Sequence, residues 1–184
     1  MRSGFRLRQT KTVSGTFTKV FATVRKAALR DAIVQQLRQE LARQTRAAEM
    51  ARDEAISEES RAESKWDTHS QEAAYLAEGQ AKLATEISAS IAHYQNLALP
   101  NFEANDPIAL GSLVELESAP GKVTTWYFVG PRAGGLELMF DSQPVLVLTP
   151  QSPLGGQLIG RKVGDTIRAP GSAASAVQRI VTVT

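Results

Sequence analysis

The chain has no cysteine, and with that residue go disulfide scaffolds, thiolate zinc sites and thiol nucleophiles. Histidine is nearly as scarce: His69 and His93 are the two in 184 residues, too few for most triad or imidazole-metal chemistries. No run of about 18 consecutive apolar residues occurs, so no membrane-spanning helix is expected. The first 30 residues contain no acid but eight bases, which leaves 13 bases against 19 acids for the rest. The formal charge of +2 is therefore a sum of unlike parts. Between Glu49 and Glu72 eight acids stand with three bases, whereas residues 105–184 hold six of each. A direct nucleic-acid binder needs a dense basic patch on its folded part, and the sequence shows none beyond the N-terminus. Without cysteine or a secretory apolar segment, a soluble protein of a reducing compartment is expected, most simply a bacterial cytoplasm.

Residues 1–25 are rich in Ser, Thr and Arg and show no sustained hydrophobic period; they read as a basic, disordered N-terminal extension. From Lys26 to Ile56 there is neither Gly nor Pro, and strong helix formers dominate. Val34, Leu37, Leu41, Gln44, Ala48, Ala51 and Ala55 alternate steps of three and four, the spacing of a coiled-coil seam. A second seam runs through Ala73, Leu76, Gln80, Leu83, Ile87, Ser90, Tyr94 and Leu97. Two such helices joined by a short link fold back on each other, because each has one apolar stripe to bury. The expectation is an antiparallel hairpin over 26–99, about 45 Å long at 1.5 Å per residue. Its seams thin to alanine toward a turn near 57–67, where the acids are densest.

Residues 100–109 read as a linker. Beyond them the period changes to two, and Leu113–Leu116, Val123–Val129, Leu136–Phe140, Val145–Leu148, Thr166–Ala169 and Val177–Val183 read as strands. Ser152 is placed as an N-cap with Pro153 at the first helical position of a short helix that ends at Gly160. Residues 110–184 thus form a small α+β domain behind the hairpin.

The run Ser152-Pro153-Leu154-Gly155 … Leu158-Ile159-Gly160-Arg161-Lys162-Val163-Gly164-Asp165 resembles the C-terminal domain of the Gre-type (GreA/GreB) bacterial transcript cleavage factors. The hairpin stands in front of it in the family's order. Trp66-Asp67 and Tyr75-Leu76 occupy the places of the family's Tyr-Asp and Phe-Leu pairs. This resemblance implies an FKBP-like fold for 110–184 that docks on the RNA polymerase core, through Ser152, Pro153, Leu154 and Gly155 among others. It implies a monomer whose coiled coil enters the secondary channel and regulates elongation. Two tip carboxylates would help hold a magnesium of the polymerase active centre, which cuts backtracked RNA, because a hard divalent cation takes oxygen ligands. The chain itself is then no enzyme, but at most a stimulator of the polymerase's own nuclease activity, and it carries no stably bound cofactor. Any DNA or RNA is reached through the polymerase.

The family's tip reads Gly-Asp-x-x-Glu-Asn-Ala-Glu-Tyr. With its Tyr on Trp66, Glu59 falls at the Asp position and Ala62 at the Glu position, while Glu63 is one residue off. Either Glu63 substitutes through a different local backbone, or the second ligand is missing and the protein is a non-cleaving channel regulator. The plainer alternative makes Glu58, Glu59, Glu63 and Asp67 a solvated helix face and Trp66 a cap on the alanine-lined end. Arg38, Arg43, Arg46 and Arg52 could line one flank of the first helix and approach the phosphates of backtracked RNA; ordinary solubility explains them equally well. A prolyl isomerase is disfavoured because Trp126-Tyr127-Phe128 alternates into the core of a strand. A coiled-coil scaffold is disfavoured because an intramolecular hairpin already satisfies both seams.

Overall fold

The computed structural model describes residues 13–56, 69–103, 105–118, 124–168 and 177–184, with side chains of the first helix from Val24 to Asp53 and of the second from Gln71 onward, Ala73 excepted. Two helices, α1 (Val13–Ile56) and α2 (His69–Gln95), pair along their lengths. Six strands follow, β1 (Leu113–Glu117), β2 (Thr124–Val129), β3 (Glu137–Phe140), β4 (Gln143–Leu148), β5 (Thr166–Arg168) and β6 (Val177–Val183), with the short α3 (Pro153–Leu158) between β4 and β5. They form one sheet in the order β3-β4-β2-β1-β6-β5, in which β2 and β4 run parallel and the other neighbours antiparallel. The α+β class and the order of helical hairpin then sheet domain agree with the sequence reading.

The period of two decides how the sheet is covered. On β2, Trp126 and Phe128 point to one face and Tyr127 and Val129 to the other; on β4, Val145 and Val147 part from Leu146 and Leu148 in the same way. Both central strands are buried on both sides, which is why they read as unbroken apolar runs. One face is covered by α3 through Leu154 and Leu158 and by Ile108 of the segment before β1, packed over Ile167 of β5 and Ile180 of β6. The other is covered by the base of the hairpin, where Leu29, Ile33, Val34, Leu37, Ile87, Ile91 and Tyr94 join Leu113, Phe128 and Val147 in one core. The hairpin and the sheet domain therefore share apolar packing. A two-residue turn at Asp141-Ser142, both at positive φ (50° and 62°), closes the β3–β4 hairpin.

Three expectations change. Helix α1 starts at Val13 and not near residue 26, so the extension 1–25 is helical in its second half; residues 1–12 lie outside the described residues. Val, Thr and Gly are weak helix formers there, but a helix already nucleated by the stretch after Lys26 needs only propagation to continue through them. Residues 100–109 are no free linker: Ile108 is 1% exposed, donates its N–H to Arg161 O and accepts from Gly160 N–H, fastening the approach to β1 onto the turn after α3. On α2 the expected seam holds at Gln80, Ile87, Ser90, Tyr94 and, just beyond the helix, Leu97, but shifts by one position farther out. Leu76 and Leu83 are left 55% and 40% exposed, whereas Ala77 and Ala84 are half-buried, and the side chain of Ala73 lies outside the described residues. Facing Ala47, Ala48 and Ala51 of α1, alanines let the two backbones approach where leucines would hold them apart.

Candidate functional site

Ser152 is set by the chain as the sequence predicts. Its backbone is extended (φ −70°, ψ 150°), its Oγ accepts from Gly155 N–H at 3.1 Å and donates to Thr149 O at 2.8 Å. Pro153 opens α3, and Gly160, at φ 79°, follows its last turn. Gly155 is obligatory: a Cβ there would stand 2.0 Å from Thr149 O. The same geometry corrects the expectation that Ser152, Pro153, Leu154 and Gly155 all contact a partner. Leu154 and Gly155 are buried, Leu154 in the core beneath α3; Ser152 is half-buried and spends its hydroxyl on the cap. Pro153 alone of the four is exposed. The run shapes a turn whose outward surface is made by Pro153, Gly156, Ile159, Gly160, Arg161 and Lys162.

Arg38, Arg43, Arg46 and Arg52 are all exposed on α1. At about 100° per residue, Arg52 lies about 40° to one side of Arg38, whereas Arg46 and Arg43 lie about 80° and 140° to the other. The expected single flank does not form. Arg38 and Arg52 share a side, Arg46 faces away from α2, and Arg43 turns to Glu40, with which it forms an ion pair. The carboxylates Glu59 and Glu63, with Glu58, Asp67 and Trp66, lie outside the described residues. Among the described residues no three His, Asp or Glu gather to hold a metal ion. His93 is exposed near the end of α2.

Sequence reasoning missed the joint between rod and sheet. Lys26, counted with the basic leader, is buried: its ammonium donates to Pro100 O and lies 4.8 Å from the centre of the Phe102 ring. Burial lowers its pKa to about 8. Arg25 pairs with Asp141 at 2.9 Å and its guanidinium lies 5.3 Å from the Trp126 ring centre. Tyr94 is fully buried, stacks on Phe128 with centroids 6.5 Å apart, and donates its hydroxyl to Arg132 O at 2.7 Å. Its ring end rests on Gly130, where a Cβ would come within 2.0 Å of the hydroxyl. Burial raises the Tyr94 pKa above that of a free phenol, and the same cause raises Tyr127, opposed by a hydrogen bond with Thr125. Gly130 is the one signal in the sequence that could have pointed here, as a glycine at a strand end that a second backbone or ring approaches. Together these contacts hold the base of the hairpin against the sheet from two sides: Arg25 and Lys26 on α1, Tyr94 on α2.

Residues 103–184 match the family model described as "Transcription elongation factor, GreA/GreB, C-term". No curated protein matches the chain. Among solved structures, the GreA factor homolog 1 (Gfh1) protein of Thermus thermophilus is 20% identical, with 82% of this chain and 94% of that chain covered and a TM-score of 0.34. Gfh1 of Thermus aquaticus is 21% identical over 83% of this chain and 92% of that chain, also with a TM-score of 0.34.

Proposed function

We propose, on the premise that this chain is a Gre-type transcription elongation factor whose residues 103–184 belong to the GreA/GreB C-terminal family, that it acts in the secondary channel of RNA polymerase. The C-terminal domain docks on the polymerase core, and the acidic end of the hairpin reaches inward and modulates elongation. The observation that carries this reading is the shared core of Leu29, Ile33, Ile91 and Tyr94 with Phe128 and Val147, reinforced by Lys26 and Arg25. A rod held this way is aimed by whatever the domain binds. From Leu37, in the core shared with the sheet, α1 runs on to Ile56, about 28 Å at 1.5 Å per residue, so the acidic stretch that follows stands away from the domain. Glu59 and Glu63 are the oxygen donors proposed for the active centre, where a divalent ion of the polymerase supplies the polarisation that RNA cleavage requires.

The test is a backtracked elongation complex incubated with the full-length protein and magnesium. Binding with RNA shortening that a Glu59→Ala/Glu63→Ala variant loses assigns cleavage stimulation to the two carboxylates. Binding that slows or speeds elongation without shortening assigns a regulator that occupies the channel. Failure to bind the polymerase core at micromolar concentration overturns the proposal.

A further inference from the structure

Four of the six bases in residues 105–184, namely Arg161, Lys162, Arg168 and Arg179, follow α3, and Asp165 is the single acid among them. The fold brings two of these to one concavity. Arg161 sits in the turn after α3, Arg168 on β5, which is the outer strand at that end of the sheet. Between them lies a notch of about 320 Å³ lined by Gln157, Arg161, Thr166, Ile167, Arg168 and Val177. Both arginines are exposed, and among the described residues neither guanidinium takes part in an ion pair or a hydrogen bond. Two polar neighbours already have backbone partners. Gln157 Oε1 accepts from the Arg168 backbone N–H at 3.2 Å, and the Asp165 carboxylate accepts from the Lys162 backbone N–H at 3.0 Å.

Two like charges flanking one notch repel and add nothing to the fold. Guanidinium groups converging on a concave site are the arrangement that recognises a carboxylate, through two parallel N–H donors each. The rim decides what carries that carboxylate. Val177 is 48% exposed on it, and Ile159, two residues before Arg161, is 39% exposed. A nucleic-acid backbone repeats its charge every few ångströms and is tracked by a row of bases, whereas a single notch with apolar shoulders matches the acid-in-apolar texture of a protein surface.

We propose that this notch receives an Asp or Glu side chain from an acidic patch on the docking partner. On the reading given above, on which this inference rests, that partner is the polymerase core. The Ser152–Gly155 run then serves docking at one remove, by fixing the turn that projects Arg161.

The experiment measures equilibrium binding of the full-length chain to the polymerase core at moderate salt. Arg161→Glu/Arg168→Glu should weaken binding at least about tenfold, with an unchanged thermal midpoint, since both side chains are exposed. Should the reversal shift the midpoint, Arg161→Gln/Arg168→Gln carries the same test without added repulsion. Arg161→Lys/Arg168→Lys should restore only part of the affinity, because an ammonium cannot match the bidentate geometry. Wild-type binding that the double reversal leaves unchanged overturns the notch and leaves the channel-factor reading standing. A loss seen only with backtracked RNA present, at unchanged affinity for the core, overturns it in favour of a nucleic-acid contact. If the wild-type chain binds no polymerase, both proposals fall.

Discussion

The base of the hairpin and its outer half are built from the same two helices but held by different means. At the base, Leu29, Ile33, Leu37, Ile91 and Tyr94 form a core with the sheet, Tyr94 reaches a backbone carbonyl of the domain at Arg132, and Lys26 one of the segment leading into it at Pro100. In the outer half the seam is Gln44, Ala47, Ala48 and Ala51 against Ala77, Gln80 and Ala84, while Met50, Tyr75 and Leu76 stay largely exposed. Large side chains bury more apolar area and are dear to remove; alanines bury little but permit a slender rod. The contrast gives a hairpin with a firmly packed root and a slender, lightly packed outer half.

The strongest way to break that contrast is at the root. Ile33→Ala, in a fully buried position, should cost about 3 kcal/mol and lower the thermal midpoint by several degrees. An equal loss from Leu76→Ala, on the exposed flank of the outer half, would show that the two regions do not differ as described. A second, smaller effect belongs to Lys26. Its folded pKa of about 8 lies below the ordinary 10.5, so between these values the unfolded chain binds more protons. Stability should therefore rise from about pH 8 to about pH 10, on the order of 1–2 kcal/mol. Above pH 10 the trend is opposed by Tyr94 and Tyr127, whose raised pKa values make the folded state the stronger proton binder. Denaturant titrations across that range should show the rise, and Lys26→Met should flatten it. The smallest change is expected in the outer half, where Gln80 Oε1 is buried with no partner among the described residues. Gln80→Leu should raise the midpoint slightly, by about 1 kcal/mol or less of added stability; a destabilised variant would mean that the amide has a role at the seam.

Much of the fold was legible because its signals are short-range. The strand limits follow alternation in Trp126–Val129 and Val145–Leu148, and α3 follows the cap chemistry of Ser152 and Pro153. The α2 seam departs from its sequence pattern only at Leu76 and Leu83, for a reason equally physical. Apolar residues at both 76 and 77, and at 83 and 84, offer two adjacent stripes of identical spacing, and spacing alone cannot choose between them. The partner helix chooses, since its alanines leave room for Ala77 and Ala84. The Ser152–Gly155 run illustrates the same limit: its spacing marks a capped turn but does not say which side chains face outward, and Leu154 and Gly155 turn out to be the inward-facing parts that make the turn possible.

By itself the sequence determined the helical hairpin, the six strands, the capped α3 and the acid-rich stretch between Glu49 and Glu72, since each is encoded by neighbours a few residues apart. Only the tertiary structure decided that Lys26 is buried, that Tyr94 rests on Gly130, and that Arg161 and Arg168 flank one notch. These depend on residues 7 to 74 positions apart, brought together by the packing of whole elements, and no local pattern records such distances.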